Sequence, residues 1–191
     1  MAYSDFKTIK DVKAKFPITV SSAHSLFTDI EEVEPSELLR TTLAENIPVA
    51  LNINTEKARS ELIITPIMME IRRLYNGQVN FFSGIDFTVD VSLGLNGYCD
   101  YILSRSPEQI FLTVPIVCMV EAKNERIVSA YGQCLAQSQV QDMMTVWGVA
   151  TTGSIWRFLR LQGNQAFVDA DEYQISQIAK LLGIFKHIVE T

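Results

Sequence analysis

Near the middle of the chain, residues 117–125 read VCMVEAKNE, an apolar run that ends in an acid, a small residue and a base. If the run is a strand, Glu121 and Lys123 project from one face with about 6–7 Å between their α-carbons, and Ala122 points into the packed side. A second acid, Asp100, stands in the apolar setting YCDYIL one strand earlier, where a carboxylate is costly to bury without a partner. Pairing the two strands brings Asp100 beside Glu121. Neighbouring carboxylates raise each other's pKa unless a cation lies between them. A hard divalent ion with oxygen ligands suits that arrangement, and Mg²⁺ keeps several of its waters. An ammonium beside a metal-bound water positions or deprotonates the nucleophile and offsets charge developing on phosphorus. The chemistry implied is metal-assisted hydrolysis of a phosphodiester.

The elements that would position these groups are readable from periodicity. DFKTIKDVKAKF (5–16) spaces Phe6, Ile9, Val12 and Phe16 as one side of a helix, with Lys7, Lys10, Lys13 and Lys15 around them. A solvated face is the plain reading of these lysines, and a phosphate or membrane contact the sharper one. A strand near 17–20 follows, then a helix from Pro35-Ser36 to about Glu45. Asn54 or Thr55 can cap a long helix, with Glu56 in its first turn and Asn76-Gly77 closing it. Its buried stripe comprises Ile63, Ile64, Ile67, Met68, Ile71 and Leu74, Glu61 lies at the edge of that stripe, and Pro66 predicts a kink.

From Asn80 the pattern alternates. IDFTVDV (85–91) and YCDYILS (98–104) flank the turn sequence SLGLNG and predict a hairpin. IVCMVEAK (116–123) reads as a strand buried on both faces and hence central. A helix over about 126–143, a strand at 147–152, a second hairpin through SIWRFLRL and QAFVD, and a helix from about Tyr173 to Val189 complete a mixed α/β layer protein.

Asp100, then Glu121-Ala122-Lys123 on the next strand, then a helix bearing Gln133, resemble the core of the PD-(D/E)xK nuclease superfamily, the restriction-endonuclease-like fold. The resemblance runs from Thr55 to Leu161 in the order αβββαβ. It implies one domain over 1–191: an N-terminal extension over 1–54, a nuclease-like core over 55–161, and a strand and helix over 162–191. It implies that Asp100, Glu121 and the Ala122 carbonyl bind Mg²⁺ or Mn²⁺ and that Lys123 acts on the attacking water. Glu61 would support the metal shell, and Gln133 would touch the substrate backbone or orient the lysine. Cys99 stands where the motif has proline. The implied substrate is DNA, or else RNA; a silent fold used for binding or assembly is the alternative.

Gln137, one helical turn from Gln133, and Arg157, in an alternating strand, are further candidates for substrate contact. Asp86 and Asp90 share a strand face, and Trp147 and Trp156 read as core more readily than as base-stacking platforms. Three cysteines without CxxC spacing, with only His24 and His187 as partners, fit neither structural zinc nor a disulfide framework. They read as reduced core thiols of a cytoplasmic protein.

The chain has 191 residues, 48% of them apolar, enough for a well-buried core. Its longest apolar stretch, 110–120, is about half the roughly 20 residues that span a bilayer, and the first ten residues lack a leader's apolar segment. No membrane association is expected, and the apolar content suggests a homodimer. The net charge of −6 opposes a protein that coats nucleic acid, because such affinity comes mainly from neutralised phosphates.

Overall fold

The computed structural model describes residues 2–22, 24–123, 134 and 145–191. Its centre is a mixed eight-stranded sheet in the order β1-β7-β6-β5-β4-β3-β2, with β8 paired to β6. The strands are β1 (Thr19–Ser21), β2 (Asn80–Asp86), β3 (Tyr98–Ser104), β4 (Ile116–Ala122), β5 (Thr145–Thr151), β6 (Ile155–Gln162), β7 (Gln165–Val168) and β8 (Tyr173–Gln174). The helices are α1 (Ile9–Lys15), α2 (Glu37–Ile53), α3 (Glu56–Arg59), α4 (Thr65–Leu74) and α5 (Ile178–Glu190). No helix among the described residues is long and apolar enough to cross a membrane.

Strands β2, β3 and β4 form an antiparallel meander, and β5 lies parallel to β4. Parallel neighbours need a crossover connection. The expected helix at 126–143, with Gln133 and Gln137, lies outside the described residues apart from Cys134, which is helical and buried. Every residue of β4 is buried, as its unbroken apolar run predicts for a strand covered on both faces.

The two faces of the sheet carry separate cores. On one, Leu39 and Leu43 of α2, Ile67 and Ile71 of α4, and Leu181 and Phe185 of α5 pack over Tyr101, Val120, Ala122, Val149 and Phe158. On the other, Phe6, Val12 and Phe16 around α1 pack with Leu95, Cys99, Ile102, Met119, Cys134 and Ala150. The three cysteines are free and buried, and burial pushes all three thiols above their ordinary pKa.

Several elements differ in extent from the sequence reading. The first helix is shorter, because Thr8 and Asp11 form a capping box that starts α1 at Ile9. Helix α2 runs through Pro48 to Ile53 rather than stopping near Glu45, and ends at Asn54, whose φ of 52° is left-handed. Leu39, Leu43 and Ala50 continue one buried stripe past the proline, so tertiary packing overrides the local break. Strand β2 occupies Asn80–Asp86 rather than 85–91, and beyond it a bridge between Asp90 and Leu95 closes the hairpin loop. Tyr173 lies in β8, and the last helix begins at Ile178.

Candidate active site

Asp100 and Glu121 come together through the β3–β4 ladder. Its last Cα pair is Tyr101 with Val120, and Asp100 and Glu121 stand one residue beyond it, Glu121 on the face opposite Val120. The Ala122 N–H donates to Asp100 Oδ2 at 2.7 Å. Glu121 pairs in register with Ala150 of β5, and Ala150 with Arg157 of β6. A single row of the sheet therefore runs Glu121, Ala150, Arg157, with Asp100 just past the end of the β3–β4 pairing.

Lys123 leaves the end of β4. Its N–H donates to the Thr151 carbonyl at 2.8 Å, which holds the backbone in line with β5. Its Nζ lies 2.6 Å from Glu121 Oε1, with both side chains largely buried, at 18% and 4% exposure. Burial disfavours the ammonium, but Glu121, by charge and hydrogen bond, together with the charges of Glu56 and Asp100, outweighs it and holds the Lys123 pKa above its ordinary value. Asp100 is shifted the same way: burial raises its pKa against the lowering effects of the Ala122 N–H and the Lys123 charge. One acid that resists ionisation thus stands beside a lysine that stays charged.

A cleft of about 400 Å³ opens next to this pair, lined by Asp100, Tyr101 and Ala122 on the sheet and by Glu56, Ser60, Glu61 and Thr65 on the helical side. Its helical wall has a specific cause. Pro66 has no N–H for the Leu62 carbonyl, and its ring crowds that carbonyl. The chain responds with a π-helical turn over Ser60–Ile64, in which the Thr65 N–H reaches back to the Ser60 carbonyl. Asn46 Nδ2 of α2 donates to the Leu62 carbonyl at 2.9 Å in place of the missing N–H. The expected kink is therefore a π-turn, a feature frequent at functional sites. Tyr101, buried in β3, places its hydroxyl 2.5 Å from Ser60 Oγ and 2.9 Å from Thr65 Oγ1.

Of the residues singled out from sequence, Asp100, Glu121, Ala122 and Lys123 form one contiguous group, and Glu61 lines the adjoining cleft. Glu61 is exposed and pairs with Lys57 at 3.2 Å, one helical turn away. Arg157 lies in the same sheet row as Glu121, with its guanidinium paired to Glu172. Gln133 and Gln137 lie outside the described residues. Trp147 and Trp156 are buried core residues. Glu56 was visible only as a first-turn acid, and the Tyr101, Ser60 and Thr65 hydroxyls had no signal, since their meeting depends on the π-turn.

Compared with models of protein families, with curated proteins and with solved structures, the chain matches none of them. Function must therefore be argued from this geometry. Among the described residues no three His, Cys, Asp or Glu side chains form a ready-made metal centre. The donor set that is present, two carboxylates on adjoining strands with a main-chain carbonyl between Glu121 and Lys123, suits an oxygen-loving cation that retains water.

Proposed function

We propose that this chain is a metal-dependent nuclease that hydrolyses phosphodiester bonds in DNA, built on a restriction-endonuclease-like αβββαβ core spanning 55–161. The observation that carries this reading is the juxtaposition of Asp100 with Glu121, Ala122 and Lys123 beside an open cleft. The antiparallel meander followed by a parallel strand supports the core.

Asp100, Glu121 and the Ala122 carbonyl would hold Mg²⁺ or Mn²⁺. When bound, the cation supplies Lewis acidity and lowers the pKa of a coordinated water. The raised pKa of Asp100 gives its carboxylate a reason to take a cation, because an adjacent positive charge offsets the cost of burying the ionised form. Lys123, held as an ammonium, donates to the attacking water or to a phosphoryl oxygen as negative charge develops there. Its raised pKa favours that electrostatic role over service as a base in the neutral range. Glu56 and Glu61, on the opposite cleft wall, orient solvent at the site, and the Glu56 charge helps keep Lys123 charged.

The deciding experiment is cleavage of supercoiled plasmid and of single-stranded DNA with Mg²⁺ or Mn²⁺, comparing the purified protein with Lys123→Ala. Metal-dependent cutting lost in the variant supports the reading. Undiminished cutting under chelation overturns it, and no cutting under any condition transfers the weight to a silent fold used for binding.

A further inference from the structure

The lysines around α1 are a charged feature that the proposed site does not use. Residues 7–15 hold four of the sixteen Lys and Arg residues, against one acid, in a chain of net charge −6. That acid, Asp11, is occupied locally: the Thr8 N–H and Oγ1 donate to its Oδ2 at 2.8 and 2.9 Å. Elsewhere among the described residues several cations have acid partners, as in Arg40 with Glu34, Arg73 with Glu70, Arg157 with Glu172 and Lys186 with Glu31. Lys7, Lys10 and Lys13 are exposed, and among the described residues no acid pairs with them.

The packing of this segment decides what such a face can bind. Phe6, Val12 and Phe16 are 1%, 0% and 8% exposed, so the apolar side of α1 is consumed by the core. An interfacial helix binds a bilayer by burying that side among acyl chains, and here none is left. What remains is a row of ammonium groups on flexible stems, suited to successive phosphates of a hydrated polyanion. The segment also packs on the sheet face that carries Cys99, Ile102, Met119 and Ala150, and Glu121 and Arg157, in register with Ala150, belong to that same face.

We infer that Lys7, Lys10 and Lys13 form the surface on which this chain takes the phosphate backbone of a nucleic acid, on the side of the sheet from which Glu121 projects. The inference rests on the nuclease reading for the identity of the polyanion. It explains how an acidic protein engages nucleic acid: one basic strip supplies attraction that the acidic cleft does not.

The test is binding of fluorescent single-stranded and duplex DNA by the full chain in chelator, where no metal supports turnover, over a range of salt concentration. Changing all three lysines to glutamine is expected to weaken binding on the order of tenfold or more at low salt. It should also flatten the slope of log K against log salt by about 2 to 3, roughly 0.7 to 0.9 for each phosphate that is no longer neutralised. The triple lysine-to-arginine variant should bind as wild type, and hydrolysis of a small aryl phosphodiester should be unchanged in both. Equal affinity and slope for the glutamine variant and wild type overturn the inference, as does wild-type binding to anionic vesicles without binding to DNA. Because binding is read without turnover, lysine-dependent DNA binding by a protein that never cuts would keep this surface and reject the hydrolase.

Discussion

The carboxylate of Asp100 accepts the main-chain N–H of Ala122 at 2.7 Å, so the acid on β3 is tied to the backbone of the tripeptide that carries Glu121 and Lys123. A shift of one strand against the other would break this bond, and the relative placement of the two acids is therefore part of the sheet's register.

Replacing Asp100 with asparagine should separate stability from activity. The amide oxygen still accepts from Ala122, but no charge is buried. The raised pKa means that the folded protein holds the Asp100 proton at pH values where the unfolded chain has released it. Stability from this group is therefore lost as pH rises from the ordinary carboxylate range through the raised value, and stays lost above it. In chelator at neutral pH, Asp100→Asn should be more stable than wild type by about 1 kcal/mol, with the gain vanishing in acid. Urea unfolding at several pH values measures this, and the same variant should lose metal-dependent cleavage.

Divalent metal should reverse that ranking. Binding only the folded state stabilises by RT ln(1 + [M]/Kd), about 2.7 kcal/mol at a hundredfold excess over Kd. Wild-type Tm should rise with Mg²⁺ or Mn²⁺ in a concentration-dependent way, and Asp100→Asn should show little rise. Equal shifts in the two proteins would place the metal elsewhere.

Lys123→Ala should cost both chemistry and stability. Removing the ammonium leaves Glu121, 3% exposed, without its 2.6 Å cationic partner. A loss of up to about 3 kcal/mol is expected in chelator, partly restored by metal because a cation returns to the carboxylate. Cleavage should fall by about 10²–10³-fold under saturating metal. Thermal melts with and without Mg²⁺, run beside plasmid cleavage, read the two effects separately.

What the sequence disclosed about this molecule followed from long, regular patterns. The continuous apolar run of β4 and the turn-flanked alternation of β3 were enough to bring Asp100 and Glu121 onto neighbouring strands. The extension of α2 to Ile53 was hidden, because Pro48 is a local stop signal while the buried stripe through Leu39, Leu43 and Ala50 acts through tertiary contacts. Glu56 was hidden for a related reason: its place on the cleft depends on the π-turn at Ser60–Ile64, whose geometry involves Asn46 on another helix. Pro66 signalled a disturbance, but only the folded context sets its form.

That dependence can be tested directly. Asn46→Ala leaves the Leu62 carbonyl without the amide that replaces the absent Pro66 N–H, and an unpaired polar group in this partly buried position should cost about 1–3 kcal/mol. If the π-turn aims the helical wall of the cleft, cleavage should also fall at temperatures where the variant remains folded. Pro66→Ala in the same background should recover stability, since an alanine at that position can return an N–H to the Leu62 carbonyl. Recovery of stability without recovery of activity would show that the π-turn itself, beyond the hydrogen bond that supports it, matters to the site.

Gly183 gives the most local prediction on the opposite side of the core. It lies in α5, and a Cβ there would strike the Glu31 carbonyl oxygen and come within 2.8 Å of Ile30 Cγ2. The first obstacle is backbone, so a rotamer change cannot relieve it. The loop at 30–31 is also joined to α5 through Lys186, whose Nζ lies 3.0 Å from Glu31 Oε2, and through the Val33 N–H, which donates to the Ala179 carbonyl at 3.0 Å. Gly183→Ala, although favourable in an isolated helix by about 1 kcal/mol, should therefore destabilise the protein by about 1–3 kcal/mol. Lys186→Ala, which removes only a surface ion pair, should cost clearly less than Gly183→Ala. Chemical unfolding of the two variants checks the ranking: if Gly183→Ala is neutral or stabilising, the close seating of α5 on the 30–31 segment is not what holds that side of the core.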